Sequence, residues 1–152
     1  MTLSIEIEHE AWEALPGLAA LAERAVVATL EGRGETGAVT LLFTSDAEMQ
    51  VLNRDWRGKD KPTNVLSFPA PDMPVPEGEA TPLGDIALAC ETVSREAAEQ
   101  GKSLADHTTH LIVHGTLHLL GYDHETDGEA EEMESEERKI LARLGIADPY
   151  ES

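Results

Sequence analysis

Three histidines, at positions 114, 118 and 124, are the residues of this 152-residue chain best spaced to act together. They stand in the run His114-Gly115-Thr116-Leu117-His118-Leu119-Leu120-Gly121-Tyr122-Asp123-His124. On a helix, His114 and His118 share one face and lie about 6 Å apart along the axis, at about 1.5 Å per residue. Two imidazoles so placed can reach one metal ion. Gly121 reads as the helix stop, because glycine enters the left-handed cap conformation without strain. The chain then turns and returns His124 to the same point. Three neutral nitrogen ligands with one position left open suit a catalytic zinc ion, since structural zinc is normally closed by four protein ligands. Three imidazoles also favour zinc among the readily available ions. A histidine pair that merely packs accounts for neither the third histidine nor the glycine.

The spacing matches the H-E-x-x-H-x-x-G-x-x-H pattern of metzincin proteases, with one omission. Gly115 stands where the protease carries its glutamate base. The ligand set survives and the peptidase chemistry does not.

Other polar residues rank below these. His110 lies one turn before His114 on roughly the same face. It is separated from His118 by about 12 Å of helical rise, too far to share an ion, so it reads as a support or packing residue. His107 reads as surface, and His9 carries no signal. Asp123 is either an acceptor orienting a ligand imidazole or a turn-forming aspartate. Cys90 reads as a small buried residue rather than a thiolate ligand. Arg57, with Lys59 and Lys61 nearby in what reads as a loop, is either a guanidinium placed to hold a phosphate and its transition-state charge or an ordinary exposed arginine.

These residues need elements to hold them. Leu3 to Glu8 alternates apolar and polar and reads as a strand with one buried face. Leu18, Leu21, Ala22, Ala25, Val26 and Thr29 recur at helical spacing between Pro16 and Leu30. Ala38 to Thr44 is a second strand, apolar enough to be central. Ser45 and Glu48 form a capping box that opens a helix to about Asp55. Asn64 to Phe68 is a third strand, and the proline-rich stretch from Pro69 to Pro82 is a long irregular connection. Gly84 to Cys90 is a fourth strand and Glu91 to Gln100 a helix stopped by Gly101. Ser103 caps the helix from Leu104 to about Leu120 that carries the histidine pair. Thr126 and Glu129 open a last helix running to about Leu144. Strands and helices interleave, giving an α/β or α+β class with about four strands and about five helices.

The length suits one domain with a real core, and 41% hydrophobic residues make it globular. No apolar run reaches the roughly 20 residues of a membrane span. The N-terminus lacks the basic start and apolar run of a signal peptide, and the single Cys90 fits a reducing cytoplasm. A net charge of −19 argues by itself against nucleic acid. Distribution matters more. Four of the eleven basic residues lie between positions 54 and 61, namely Arg54, Arg57, Lys59 and Lys61. Eight acids and no base lie between Glu125 and Glu137, which reads as a solvated helix face.

Two segments then point to a family. Asn53 to Pro69 reads NRDWRGKDKPTNVLSFP and His114 to His124 reads HGTLHLLGYDH, with Gly84-Asp85-Ile86 between them. Together these resemble the YbeY family of bacterial rRNA maturation factors, over positions of about 40 to 145. The resemblance implies a single-domain α+β fold with a mixed sheet and a zincin-like metal helix. It implies zinc on His114, His118 and His124, with Arg57 as the functional arginine. It implies a single-strand-specific endoribonuclease acting in 16S rRNA 3′-end maturation and in ribosome quality control. Arg54, Lys59 and Lys61 are then candidate RNA contacts, and the ribosome and its assembly proteins are the expected partners. Two rivals stay open: a metal-dependent hydrolase of another substrate, and a ribosome-binding factor whose zinc is chiefly structural.

Overall fold

The computed structural model describes residues 2–71, 74–122 and 126–150. Asp123 and His124 therefore lie outside the described residues. Four strands form one sheet: β1 (Thr2–Ile7), β2 (Ala38–Thr44), β3 (Val65–Pro69) and β4 (Pro82–Ala89). The helices among the described residues are α1 (Leu18–Gly32), α2 (Asp46–Arg57), α3 (Cys90–Gln100), α4 (Leu104–Leu119) and α5 (Asp127–Arg143), with a short 3₁₀ turn at Glu10–Ala14. The sheet order is β1-β2-β4-β3. β1, β2 and β4 are parallel, and β3 runs antiparallel to β4, so the sheet is mixed and the fold is α+β.

Period-two alternation divides the central strands between two faces. Val39, Leu41 and Phe43 of β2 and Ile86 and Leu88 of β4 join the large core against α1, α4 and α5. Ala87 and Ala89 point the other way, onto Met49 of α2. Both strands are covered on both faces, which is why they read as apolar runs. The 3₁₀ turn has no apolar periodicity and was not expected. It buries Trp12 completely, with the indole N–H donating to the Thr44 carbonyl at 2.9 Å.

The helix termini follow from their caps. Ser45, Ser103 and Thr126 each accept a backbone N–H three residues on, as expected of N-caps. Gly121 sits at φ 99°, and the N–H groups of Gly121 and Tyr122 close α4 on the carbonyls of His118 and Leu117. One boundary differs from expectation. Arg57 belongs to the last turn of α2 and not to a loop, because the stop is Gly58, at φ 70°. At Gly84, φ is 142° and a Cβ would lie 2.2 Å from the Phe68 carbonyl oxygen, so the β3–β4 hairpin closes only around glycine. No helix among the described residues is long and apolar enough to cross a membrane.

Candidate metal centre and its groove

α4 is amphipathic in an unusual sense. Its apolar residues face α1 and the core, while His110, His114 and His118 form a stripe facing α5 and the β3 edge. The Nε2 atoms of His114 and His118 lie 3.2 Å apart. Two nitrogens bound at about 2.0–2.1 Å to one tetrahedral ion are themselves about 3.3 Å apart, so the pair fits a shared zinc.

Glu137 of α5 fixes one of these rings. Its carboxylate is fully buried and accepts from His114 Nδ1 at 2.5 Å, from His110 Nε2 at 2.9 Å and from the Tyr150 hydroxyl. Burial alone raises the carboxyl pKa. The hydrogen bonds from His110 and His114, the charge of His114 and the Tyr150 hydroxyl outweigh it and hold the group down to about 2. An ionised carboxylate only accepts, so His114 carries a proton on Nδ1, which leaves Nε2 as the atom that would face a metal. Burial, followed by the bond to Glu137, pushes the Tyr150 phenol above its ordinary value.

The reading of 125–137 as a solvated face holds for Asp127, Glu129, Glu131 and Glu132, which are exposed, and fails at Glu137. Glu137 shares a helix face with Met133, Ile140 and Leu141, all buried. A charge in apolar register was the signal that sequence reasoning passed over. Tyr150 was missed too. It is held by Arg138, whose guanidinium lies 5.3 Å from the ring centre, and by Asp148, which accepts the Tyr150 N–H.

His107 is not on the surface. It is 3% exposed and bonds through Nε2 to Glu96 at 3.0 Å, and Glu96 also accepts from Asn64. Desolvation lowers its pKa against the pull of Glu96. The ring ties α4 to α3 and to the start of β3. Cys90 is buried as expected, and desolvation raises its thiol. Its sulfur and ligating atoms of His9 and Glu91 lie within 4.8 Å of one another. Raising the thiol opposes thiolate formation, and Glu91 already accepts the Asp46 N–H at 3.1 Å, so this cluster reads as packing at the α2 and α3 starts.

Gly115 faces the sheet. A Cβ there would lie 2.9 Å from Ile86 Cγ2 and 3.1 Å from Ser67 Oγ, and the Ser67 hydroxyl donates to the Gly115 carbonyl. A side chain at the position that carries a general base in the protease pattern would force Ile86 and Ser67 to shift.

His114 and His118 line a groove of about 510 Å³ whose other wall includes Arg57, Asn64 and Ser67. The antiparallel strand β3 forms the sheet edge along it. Arg57 also lines an adjoining cleft with Lys59, Lys61 and Arg95. Arg54 is directed elsewhere, pairing with Asp55 at 3.2 Å. Of the candidate residues described, the structure thus brings Arg57, His114 and His118 to one groove, sets Lys59 and Lys61 beside it and turns Arg54 away. Arg95 had no sequence signal, since it joins the others only through the packing of α3 beside the Gly58–Asn64 loop.

A family model described as Endoribonuclease YbeY matches residues 5–145. A protein named Endoribonuclease YbeY from Chelativorans sp. (strain BNC1) is 56% identical over 151 residues, covering 98% of this chain and 93% of that protein. The protein of the same name from Azorhizobium caulinodans is 52% identical over 157 residues, covering 99% and 96%. The solution structure of TM1509 from Thermotoga maritima superposes with a TM-score of 0.59 at 24% identity, covering 99% of this chain and 100% of that one, and shares the fold.

Proposed function

This chain belongs to the YbeY family, and from that premise we propose that it is a zinc-dependent, single-strand-specific endoribonuclease. The observation that supports this reading best is the 3.2 Å approach of His114 Nε2 and His118 Nε2 in a groove shared with Arg57. His114, His118 and His124 hold the ion. Zinc, when bound, supplies a water acidified towards neutral pH and a positive charge for a phosphoryl oxygen.

The remaining chemistry belongs to the chain. The Arg57 guanidinium binds the scissile phosphate in bidentate fashion and offsets the charge that grows on it in the transition state. Glu137 keeps the His114 proton on Nδ1 and its ring in place. Gly115 contributes no base, so no side chain next to His114 takes up a proton. The open edge of β3 walls the groove, which suits an extended single strand better than a duplex.

In the cell we place the activity in the cytoplasm, in rRNA processing that includes 16S rRNA 3′-end maturation, and in ribosome quality control, with the ribosome and its assembly proteins as partners. A zincin-like architecture of the metal helix is part of the same proposal.

The test is cleavage of a labelled single-stranded RNA, with metal quantified in the same sample, for wild type and Arg57→Ala. One equivalent of zinc in both, with cleavage lost only in the variant, is the expected result. Unchanged turnover by Arg57→Ala removes that residue from the mechanism. Zinc without cleavage in either protein favours a ribosome-assembly factor, a reading with which the net charge of −19 is compatible. Cleavage of another phosphoester or amide in place of RNA points to a different hydrolase.

A further inference from the structure

Trp56 is the most exposed large hydrophobic side chain among the described residues, at 72%. It lies on the last turn of α2, immediately before Arg57, which lines the histidine groove. Its ring meets Phe68 of β3 in a T-shaped contact, with centroids 5.7 Å apart and planes at 68°. That contact braces one edge of the indole and covers little of it. A tryptophan needed only for packing would be buried, as Trp12 is. Here the large ring is braced on one side by Phe68 and left open to solvent.

The surroundings say what such a ring is suited to meet. Arg57, Lys59 and Lys61 make no ion pair among the described residues, in a chain whose net charge is −19. Unpaired cations beside a braced, exposed aromatic match the two halves of a nucleotide: the cations take phosphate and the ring takes a base face. A purely acidic or apolar partner would satisfy only one half. With a small basic segment on a strongly acidic body, phosphate attraction by itself is weak, and base stacking has to make up part of the affinity.

We propose that Trp56 is a stacking platform for an unpaired nucleobase of single-stranded RNA, placing the adjoining phosphate at Arg57. This rests on the RNA reading given above and adds to it a residue and a reason for single-strand preference, since the bases of a duplex already stack on each other. The contact is with a base face, so it is tolerant of sequence.

The experiment is direct binding of a fluorescein-labelled single-stranded RNA of roughly 12 nucleotides to the full chain, with a chelator present so that nothing is cut. Wild type, Trp56→Ala and Trp56→Phe are compared at one low salt concentration. Trp56→Ala is expected to weaken binding roughly 5- to 100-fold, with Trp56→Phe recovering most of it. An oligomer of the same length made of abasic ribose phosphates is expected to bind wild type and Trp56→Ala alike. Because Trp12 is buried, quenching of tryptophan fluorescence by RNA should vanish in Trp56→Phe. Binding by Trp56→Ala within about two-fold of wild type, or an equal loss on the abasic oligomer, overturns the proposal. A wild type that binds RNA through Trp56 but cleaves none when loaded with zinc keeps this inference and defeats the nuclease. A wild type that binds no RNA defeats both.

Discussion

Glu137 makes the stability of this protein depend on pH in a way that can be calculated and checked. The carboxyl has an ordinary value of 4.5 and is held at about 2 in the folded chain. A depressed folded value means that the unfolded chain binds the proton more readily. The stabilisation is therefore complete above pH 4.5 and is lost as pH falls through 4.5 towards 2. At about 1.36 kcal/mol per pH unit, the contribution at neutral pH is about 3 kcal/mol, and about 2 kcal/mol of it has gone by pH 3. Many other acids titrate in the same window, so the quantity to measure is the difference between wild type and Glu137→Gln. Glutamine keeps the shape, but its amide offers one acceptor oxygen and puts a donor against a donor. Urea unfolding followed by far-UV circular dichroism, with a chelator present, should show Glu137→Gln less stable by about 3–5 kcal/mol at pH 7, as expected for removing one partner of a buried charged network. The gap should narrow by about 2 kcal/mol between pH 5 and pH 3. A gap that stays constant over that range would refute the argument that an ionised, triply bonded Glu137 ties α4 to α5.

Two further substitutions probe the packing around the same site. Gly115→Ala gains about 1 kcal/mol of helix propensity but drives a methyl against Ile86, and overpacking of that kind costs about 1–3 kcal/mol; the urea midpoint should fall, and a variant more stable than wild type would show that α4 can move off the sheet. Tyr150→Phe removes a hydroxyl that donates to Glu137, and loss of a hydrogen bond to a buried charge costs about 1.5–3 kcal/mol. Its unfolding at pH 7 should show that loss with an unchanged dependence on urea, and equal stability would mean that the C-terminal segment does not brace the carboxylate.

Most of the fold was legible because it is written locally. The strand periodicities, the N-caps at Ser45, Ser103 and Thr126, and the stop at Gly121 each depend on residues a few positions apart. The histidine pair was legible for the same reason, since two residues on one helix keep their relation whatever packs around them. What could not be read depends on tertiary placement. Glu137 looks like one more acid in an acidic run until the helical register sets it beside Met133, Ile140 and Leu141. His107 looks like a surface histidine until Glu96 and Asn64 arrive from α3 and β3. Arg57 was given to a loop because the apolar signal of α2 fades before Gly58, and Trp12 lies in a turn too short to show any period. Tyr150 reaches Glu137 only because the chain after α5 doubles back along it.

The position of α4 has a consequence for how the site is made. This helix packs on α1, α3, α5 and the sheet, with His107 bonded to Glu96 of α3 and His110 and His114 both bonded to Glu137 of α5. Its buried middle turns are expected among the slowest amides to exchange with solvent, which hydrogen exchange would check. A lesion in the core around α4 therefore reaches His114 and His118 without touching any residue of the opposite groove wall.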